Sequence, residues 1–239
     1  MKVEVWYDFT CPYCYLAIEK LHRALSRFPN RTSVDIVYRS FQLSMPFQTN
    51  IKERNCNYDR PHFDPDENMD DKLKKEASQL GISMKFLKTE WIDTLHAHRL
   101  VKLANCYGKD TKVVRALFES LYEREQRIDD CKTLLTIGVE AGLDETEVDV
   151  LLCLNRYKKS VETDKVIAKE MGITSIPFFI FNDQYAISGA KPVELFHEVL
   201  VDAWTELERQ GKVQQKRGSN TRTYCEGNEC KTLNEDNNK

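Results

Sequence analysis

The stretch Val3-Glu4-Val5-Trp6-Tyr7-Asp8-Phe9-Thr10-Cys11-Pro12-Tyr13-Cys14-Tyr15 decides how the rest of the chain is read. Val3 to Phe9 alternates and is rich in β-branched and aromatic residues, so it predicts a strand. The Cys-x-x-Cys pair that follows opens onto Leu16, Leu21, Leu25 and Phe28, spaced along one face of a helix over Tyr15 to Phe28. Pro12 has no backbone N–H and suits a first helical turn, where that donor would have no partner. Cys11 is therefore expected at a helix N-terminus, where unpaired N–H groups and the helix dipole favour a thiolate. Cys14, about one turn inward, is expected to be less exposed and to resolve a mixed disulfide formed at Cys11.

Spacing alone leaves other readings open. A Cys-x-x-Cys pair also suits half of a zinc site, with Cys225 and Cys230 as the other half, or two thiols that merely pack. The strand–helix junction and Pro12 favour the redox reading.

Working outward, Pro29-Asn30 breaks the helix, and Ser33 to Phe41 predicts a second strand, parallel to the first across the connecting helix. Met45 to Asp71 is polar, holds Pro46, Pro61 and Pro65, and predicts a surface loop carrying Cys56. Helical periodicity then runs to Leu154, with helices expected over Asp71–Leu80, Asp93–Tyr107, Asp110–Arg124, Cys131–Ala141 and Glu145–Leu154. Gly81, Gly108 and Gly142 stand where helices would end, and Asp129 or Asp130 where one would begin. Lys158 to Met171 is a further helix closed by Gly172. Phe178–Phe181 and Tyr185–Ser188 form a hairpin around Asn182-Asp183-Gln184. Pro192 and Gly211 bracket a last helix, Val193–Gln210.

The order is β-α-β, a helical block, then α-β-β-α. Without the block it is the order of a thioredoxin-like α/β fold: a mixed four-stranded sheet flanked by helices, here with a large all-helical insertion. The expected organisation is a discontinuous thioredoxin-like domain over residues 1–44 and 157–211, an insertion over 45–156, and a flexible tail over 212–239. In such a domain the Pro of Thr174-Ser175-Ile176-Pro177 is expected to be cis and to face the cysteine pair. Ile176 would then offer its backbone N–H and C=O to an extended peptide, with Pro12 and Tyr13 as further substrate contacts. The alternative is a trans Pro that opens an edge strand.

Four stretches carry a family likeness: Asp8 to Tyr15; Thr94-Leu95-His96-Ala97-His98-Arg99-Leu100; Ser175-Ile176-Pro177-Phe178-Phe179; and Tyr185-Ala186-Ile187-Ser188-Gly189-Ala190. Over about Val3 to Gln210 the chain resembles the DsbA-like thioredoxin-fold oxidoreductases, and among them the FrnE-type branch. The resemblance implies protein disulfide oxidoreductase activity, with Cys11, Cys14 and Pro177 as functional positions. It also brings in 2-hydroxychromene-2-carboxylate isomerases and kappa-class glutathione transferases, which share the architecture. Those relatives usually have Ser in place of Cys11 and lack the second Cys, so Cys11 and Cys14 favour disulfide chemistry. Two departures stand out. Tyr13 replaces the His of DsbA, so a strongly oxidising potential does not carry over. Val5 stands where thioredoxin and DsbA place a buried acid; Asp8 is nearer the pair, at a strand end where exposure is expected.

The other candidates are weaker. FrnE-type chains often carry a C-terminal pair like Cys225/Cys230, which would act as an accessory redox shuttle, a passive loop disulfide or two exposed thiols. Cys106, Cys131 and Cys153 are expected to pack as small core residues. His96 and His98 face different sides of one helix, which argues against a metal pair; His98 either borders the cleft or packs the helix, with packing favoured. Trp6, Tyr7 and Phe9 are divided between core and a substrate-lining surface.

Composition bounds the rest. The chain has 239 residues, 41% hydrophobic and 31% charged, with a net charge of -3, so nothing points to nucleic acid or an anionic membrane as partner. Eight Cys are too few and too scattered for a disulfide-stapled secreted module. No apolar run is long enough to span a bilayer, and Val3–Phe9, interrupted by Glu4 and Asp8, is no signal peptide. A cytoplasmic enzyme is expected, without metal or bound cofactor, glutathione being the co-substrate to consider. Its partners would be thiol- or disulfide-containing proteins or peptides and a redox partner. A glutathione-dependent transferase or isomerase, and a non-catalytic zinc- or peptide-binding module, are the competing readings.

Overall fold

The computed structural model describes residues 1–43, 67–85, 92–211, 221–226 and 229–234. β1 (Lys2–Tyr7) is buried from Val3 to Tyr7, so both of its faces are covered. β2 (Asp35–Ser40) runs parallel to it, in register from Lys2 opposite Asp35 to Tyr7 opposite Ser40. β3 (Phe178–Phe181) lies antiparallel on the other side, with Val3 opposite Phe181 and Trp6 opposite Phe178. β4 (Tyr185–Ser188) completes a mixed sheet of order β2-β1-β3-β4, the thioredoxin-like arrangement expected. Asn182 and Asp183 turn the β3–β4 hairpin at φ 51° and 59°, a region these two residue types tolerate best after glycine.

α1 (Pro12–Arg27) begins at the cysteine pair itself, three residues before the apolar spacing predicts. Between β2 and β3 the chain is helical: α2 (Glu67–Gln79), α3 (Leu95–Asn105), α4 (Asp110–Tyr122), α5 (Cys131–Ala141), α6 (Glu145–Cys153) and α7 (Lys158–Glu170). α8 (Val193–Arg209) follows β4. Capping sets several of these ends. Asp130 accepts a 2.9 Å hydrogen bond from the Thr133 N–H and opens α5, Gly142 at φ 92° closes it, and Asp144 caps α6.

Alternation along β1 divides the core. Val3, Val5 and Tyr7 join a continuous apolar cluster that includes Leu16 and Leu21 of α1, Phe196 and Leu200 of α8, and Leu100, Phe118, Leu134 and Leu151 of the inserted helices. Trp6 points the other way, onto Ala168 of α7, Ile173 and Ile180. Glu4 shares that second face and pairs with Arg39 at 2.6 Å. Asp164 of α7, 2% exposed, receives Arg39, Lys102 and the Ser40 N–H. Pairing of this kind is what lets carboxylates stay charged when buried.

Three expectations are corrected. Trp6, Tyr7 and Phe9 are all at most 1% exposed and line no surface, because β1 is central and covered on both sides. Cys131 and Cys153 are exposed free thiols, since they fall at the first and last positions of short helices rather than on their inner faces. Cys106 is buried as expected but is disulfide-bonded, with the Tyr157 hydroxyl 3.6 Å from its sulfur. In the tail, β5 (Thr221–Glu226) and β6 (Glu229–Asn234) pair antiparallel, with Cys225 directly opposite Cys230. The linking residues in the sequence, Gly227 and Asn228, are of the types two-residue hairpin loops favour. The loop holding Cys56 and the remainder of the tail lie outside the described residues.

Candidate active site

Cys11 occupies the N-cap of α1, in extended conformation, with Pro12 at the helix start. Its N–H donates to the Asp8 carbonyl at 3.2 Å, and the Cys14 N–H donates to the Cys11 carbonyl at 3.0 Å, which folds the pair into one tight turn. The Cys11 sulfur accepts from the Cys14 thiol and from the N–H groups of Cys14 and Tyr13. Led by the Cys14 thiol, these donors hold the Cys11 thiol below its ordinary range, against burial and the nearby Asp8 charge. Cys14 is fully buried; burial first, then its bond to Cys11 and the charge there, push its thiol well above the ordinary range. The two thiols are thus shifted in opposite directions, the half-buried Cys11 downward and the buried Cys14 upward. Both thiols are free.

The Ile176–Pro177 bond is cis, as expected. The β1–β3 register ends at Trp6 opposite Phe178, and Ile176 and Pro177 come directly before β3. Cys11, Tyr13 and Ile176 all lie half-buried at the edge of the main core. The Pro177 carbonyl is taken by the Gly189 N–H at 2.8 Å, whereas neither backbone group of Ile176 is bonded among the described residues. An extended peptide laid along Ile176 would find both groups available.

Helices from the insertion wall the cysteine pair from behind. Phe118 of α4 stacks on Tyr15 with centroids 5.1 Å apart and packs on Phe9 at 4.9 Å. Tyr122, one turn further, is buried close enough to feel charge on Cys11 and Cys14.

Asp8, expected to be exposed at the strand end, is buried instead, while His98 packs inside the fold as favoured. Asp8 is 1% exposed and His98, on α3, is 0% exposed; Asp8 Oδ1 and His98 Nε2 lie 3.4 Å apart. The signal for His98 was its place among apolar α3 residues such as Leu95 and Val101; nothing local linked it to a residue so far back along the chain. Burial alone would raise the Asp8 carboxyl, but His98, the Leu43 N–H and the Thr94 hydroxyl outweigh it and hold the carboxyl below the usual range.

Among the described residues no three His, Cys, Asp and Glu side chains are gathered as a metal site would need. Nor is any helix among them long and apolar enough to cross a membrane. Cys225 and Cys230 face each other across their own hairpin.

Residues 2–201 match the family model described as the DSBA-like thioredoxin domain. No curated protein is a significant match. Among solved structures, the probable DsbA oxidoreductase from Streptomyces coelicolor is 27% identical, with a TM-score of 0.74 over 97% of this chain and 98% of its own. A 2-hydroxychromene-2-carboxylate isomerase is 18% identical, with a TM-score of 0.67 over 88% and 98%. The cytosolic disulfide reductase DsbM from Pseudomonas aeruginosa, solved with GSH, is 16% identical, with a TM-score of 0.56 over 89% and 100%. The last two likenesses speak to the fold.

Proposed function

This chain belongs to the DSBA-like thioredoxin domain family, and we propose that within it the protein is a thiol–disulfide oxidoreductase acting on proteins or peptides through Cys11 and Cys14. The observation that carries this reading is the asymmetry of the two thiols. Cys11 sits at a helix N-cap with its thiol held down, and Cys14 is buried with its thiol pushed up. That is the division of labour between an attacking and a resolving sulfur.

The chemistry balances as follows. The Cys11 thiolate attacks a substrate disulfide; the Cys11–substrate bond forms, the substrate S–S bond breaks, and the released sulfur takes a proton. Cys14 then gives up its proton and attacks the Cys11 sulfur. The second substrate sulfur leaves as a thiol, and two electrons have passed from the cysteine pair to the substrate. In reverse, the same steps oxidise a dithiol. The unbonded backbone of Ile176 supports docking of the substrate as an extended segment beside Tyr13 and Pro12. Glutathione fits the scheme as a co-substrate that reduces the Cys11–Cys14 disulfide, and a cytoplasmic setting agrees with that role. The cross-strand placement of Cys225 and Cys230 supports a FrnE-type accessory pair.

The test is reduction of a protein disulfide such as insulin by the full chain with dithiol or glutathione as electron source. Wild type is expected to accelerate it and Cys11→Ser to lose the acceleration entirely. Full activity in Cys11→Ser overturns the reading, and glutathione conjugation without disulfide exchange replaces it with a transferase.

A further inference from the structure

Four buried polar atoms gather behind the cysteine pair without a hydrogen-bond partner: Tyr7 Oη, Asp8 Oδ1, and both ring nitrogens of His98. Asp8 and His98 thus approach to 3.4 Å without meeting the geometry of a hydrogen bond. Tyr7 and Phe9 hold the imidazole in place, with ring centroids 5.2 and 5.0 Å from it. The other carboxylate oxygen, Oδ2, is fixed by the Leu43 N–H at 2.6 Å and the Thr10 hydroxyl at 3.2 Å. Oδ1 is turned toward the imidazole of α3. Asp8 also abuts the redox turn, because its carbonyl receives the Cys11 N–H.

We propose that Asp8 and His98 form a charge couple between the cysteine pair and α3, in which the charge on His98 sets how strongly the Asp8 carboxylate opposes a thiolate on Cys11. This rests on the redox reading of Cys11 and Cys14. Neither residue touches substrate; both are positioning residues acting through Cys11. Asp8 directly follows β1, and the second member of the couple comes from α3. α3 thereby gains electrical contact with the redox centre.

Among the described residues, these groups face the couple. From β1 it meets Tyr7, from α1 Cys11 and Cys14, from the start of α3 the Thr94 hydroxyl, and from α4 Tyr122. Asp110 and Asp164 reach Tyr7 from farther off. The carboxylate is the negative charge that opposes ionisation of Cys11. In a buried setting such a charge is weakly screened, so neutralising it changes the thiolate population measurably. Linkage requires the converse as well: a negative charge on the cysteine pair favours a protonated imidazole.

The experiment uses the full chain. Thiolate absorbance of the reduced protein is followed against pH in wild type, Asp8→Asn and His98→Gln, with the glutathione equilibrium read alongside. Asp8→Asn, which keeps an oxygen for Leu43, is expected to raise the Cys11 thiolate fraction at neutral pH several-fold and make the pair more oxidising. His98→Gln, which leaves the Asp8 carboxylate without the imidazole, is expected to lower the Cys11 thiolate fraction. Independently, NMR of wild type should show His98 ring signals that move between the dithiol and the disulfide forms. A folded Asp8→Asn with an unchanged profile, or a His98 ring indifferent to redox state, overturns the proposal. The second measurement stands if either variant fails to fold. A chain without disulfide exchange would sink the functional reading while leaving the thiolate profiles legible.

Discussion

The Tyr15 hydroxyl donates a 2.6 Å hydrogen bond to Glu123, tying the helix that starts at the cysteine pair to the residue that ends α4. The Tyr15 ring lies flat on Phe118 at an interplanar angle of 3°. The insertion thus braces the cysteine pair through one polar and one aromatic contact.

Tyr15→Phe separates the two. It keeps the stack and loses a hydrogen bond to a carboxylate, whose usual worth of about 1.5–3 kcal/mol is reduced where the acceptor is partly solvated. A loss of about 1 kcal/mol in urea unfolding is expected, with disulfide exchange retained. Tyr15→Ala, which also removes the buried ring, is expected to lose about 3–5 kcal/mol.

Acid sensitivity follows from two carboxylates. Burial pushes Asp8 and Glu19 upward, but His98 with its neighbours for Asp8, and His22 with Arg115 for Glu19, bring both below their ordinary values of 3.8 and 4.5. A group depressed on folding stabilises the native state above its unfolded value and loses that contribution as pH falls through the folded one. Stability should therefore fall as pH drops below about 4.5. Asp110, raised by burial, works in the opposite sense and blunts the fall. The urea midpoint of Asp8→Asn should decline less steeply with acid than that of wild type; parallel curves would remove Asp8 from the account.

Gly138 marks where α5 and α6 meet. An added Cβ would lie 2.8 Å from Val148 Cγ2, with Leu100 Cδ1 3.5 Å away, and Val148 is fully buried. Ala gains about 1 kcal/mol of helix propensity over Gly. Overpacking against a side chain that cannot retreat costs about 1–3 kcal/mol, so Gly138→Ala is expected to lower the melting temperature while leaving the Cys11 thiolate titration unchanged.

The accessory role proposed for Cys225 and Cys230 predicts a split in kinetics. Replacing both with Ser should leave the first turnover of a reduced chain intact and slow later turnovers several-fold. Equal rates throughout would make the hairpin pair passive.

The parts of this molecule legible in its sequence are those governed by near neighbours. Pro12 at a strand–helix junction located the start of α1, Asp129 or Asp130 and Gly142 located the ends of α5, and Asn182-Asp183 located the β3–β4 hairpin. The order of elements then supplied the sheet. What the sequence concealed depends on contacts between distant segments. Asp8 looked like an exposed strand end because the α3 residue that covers it lies far along the chain. Trp6, Tyr7 and Phe9 looked half available because alternation cannot reveal that both faces of β1 are covered. Cys131 and Cys153 were misjudged for a simpler reason: helix ends escape burial, and periodicity describes only helix interiors.

The most direct measurement traps the reaction halfway. Cys14→Ser, incubated with an oxidised peptide or glutathione, is digested without reductant and the mixed disulfide located by mass spectrometry. Cys131 and Cys153, both exposed and free, serve as internal competitors. The account predicts the adduct on Cys11, formed faster than on either competitor. An adduct confined to Cys131 or Cys153, with Cys11 unmodified, would contradict it.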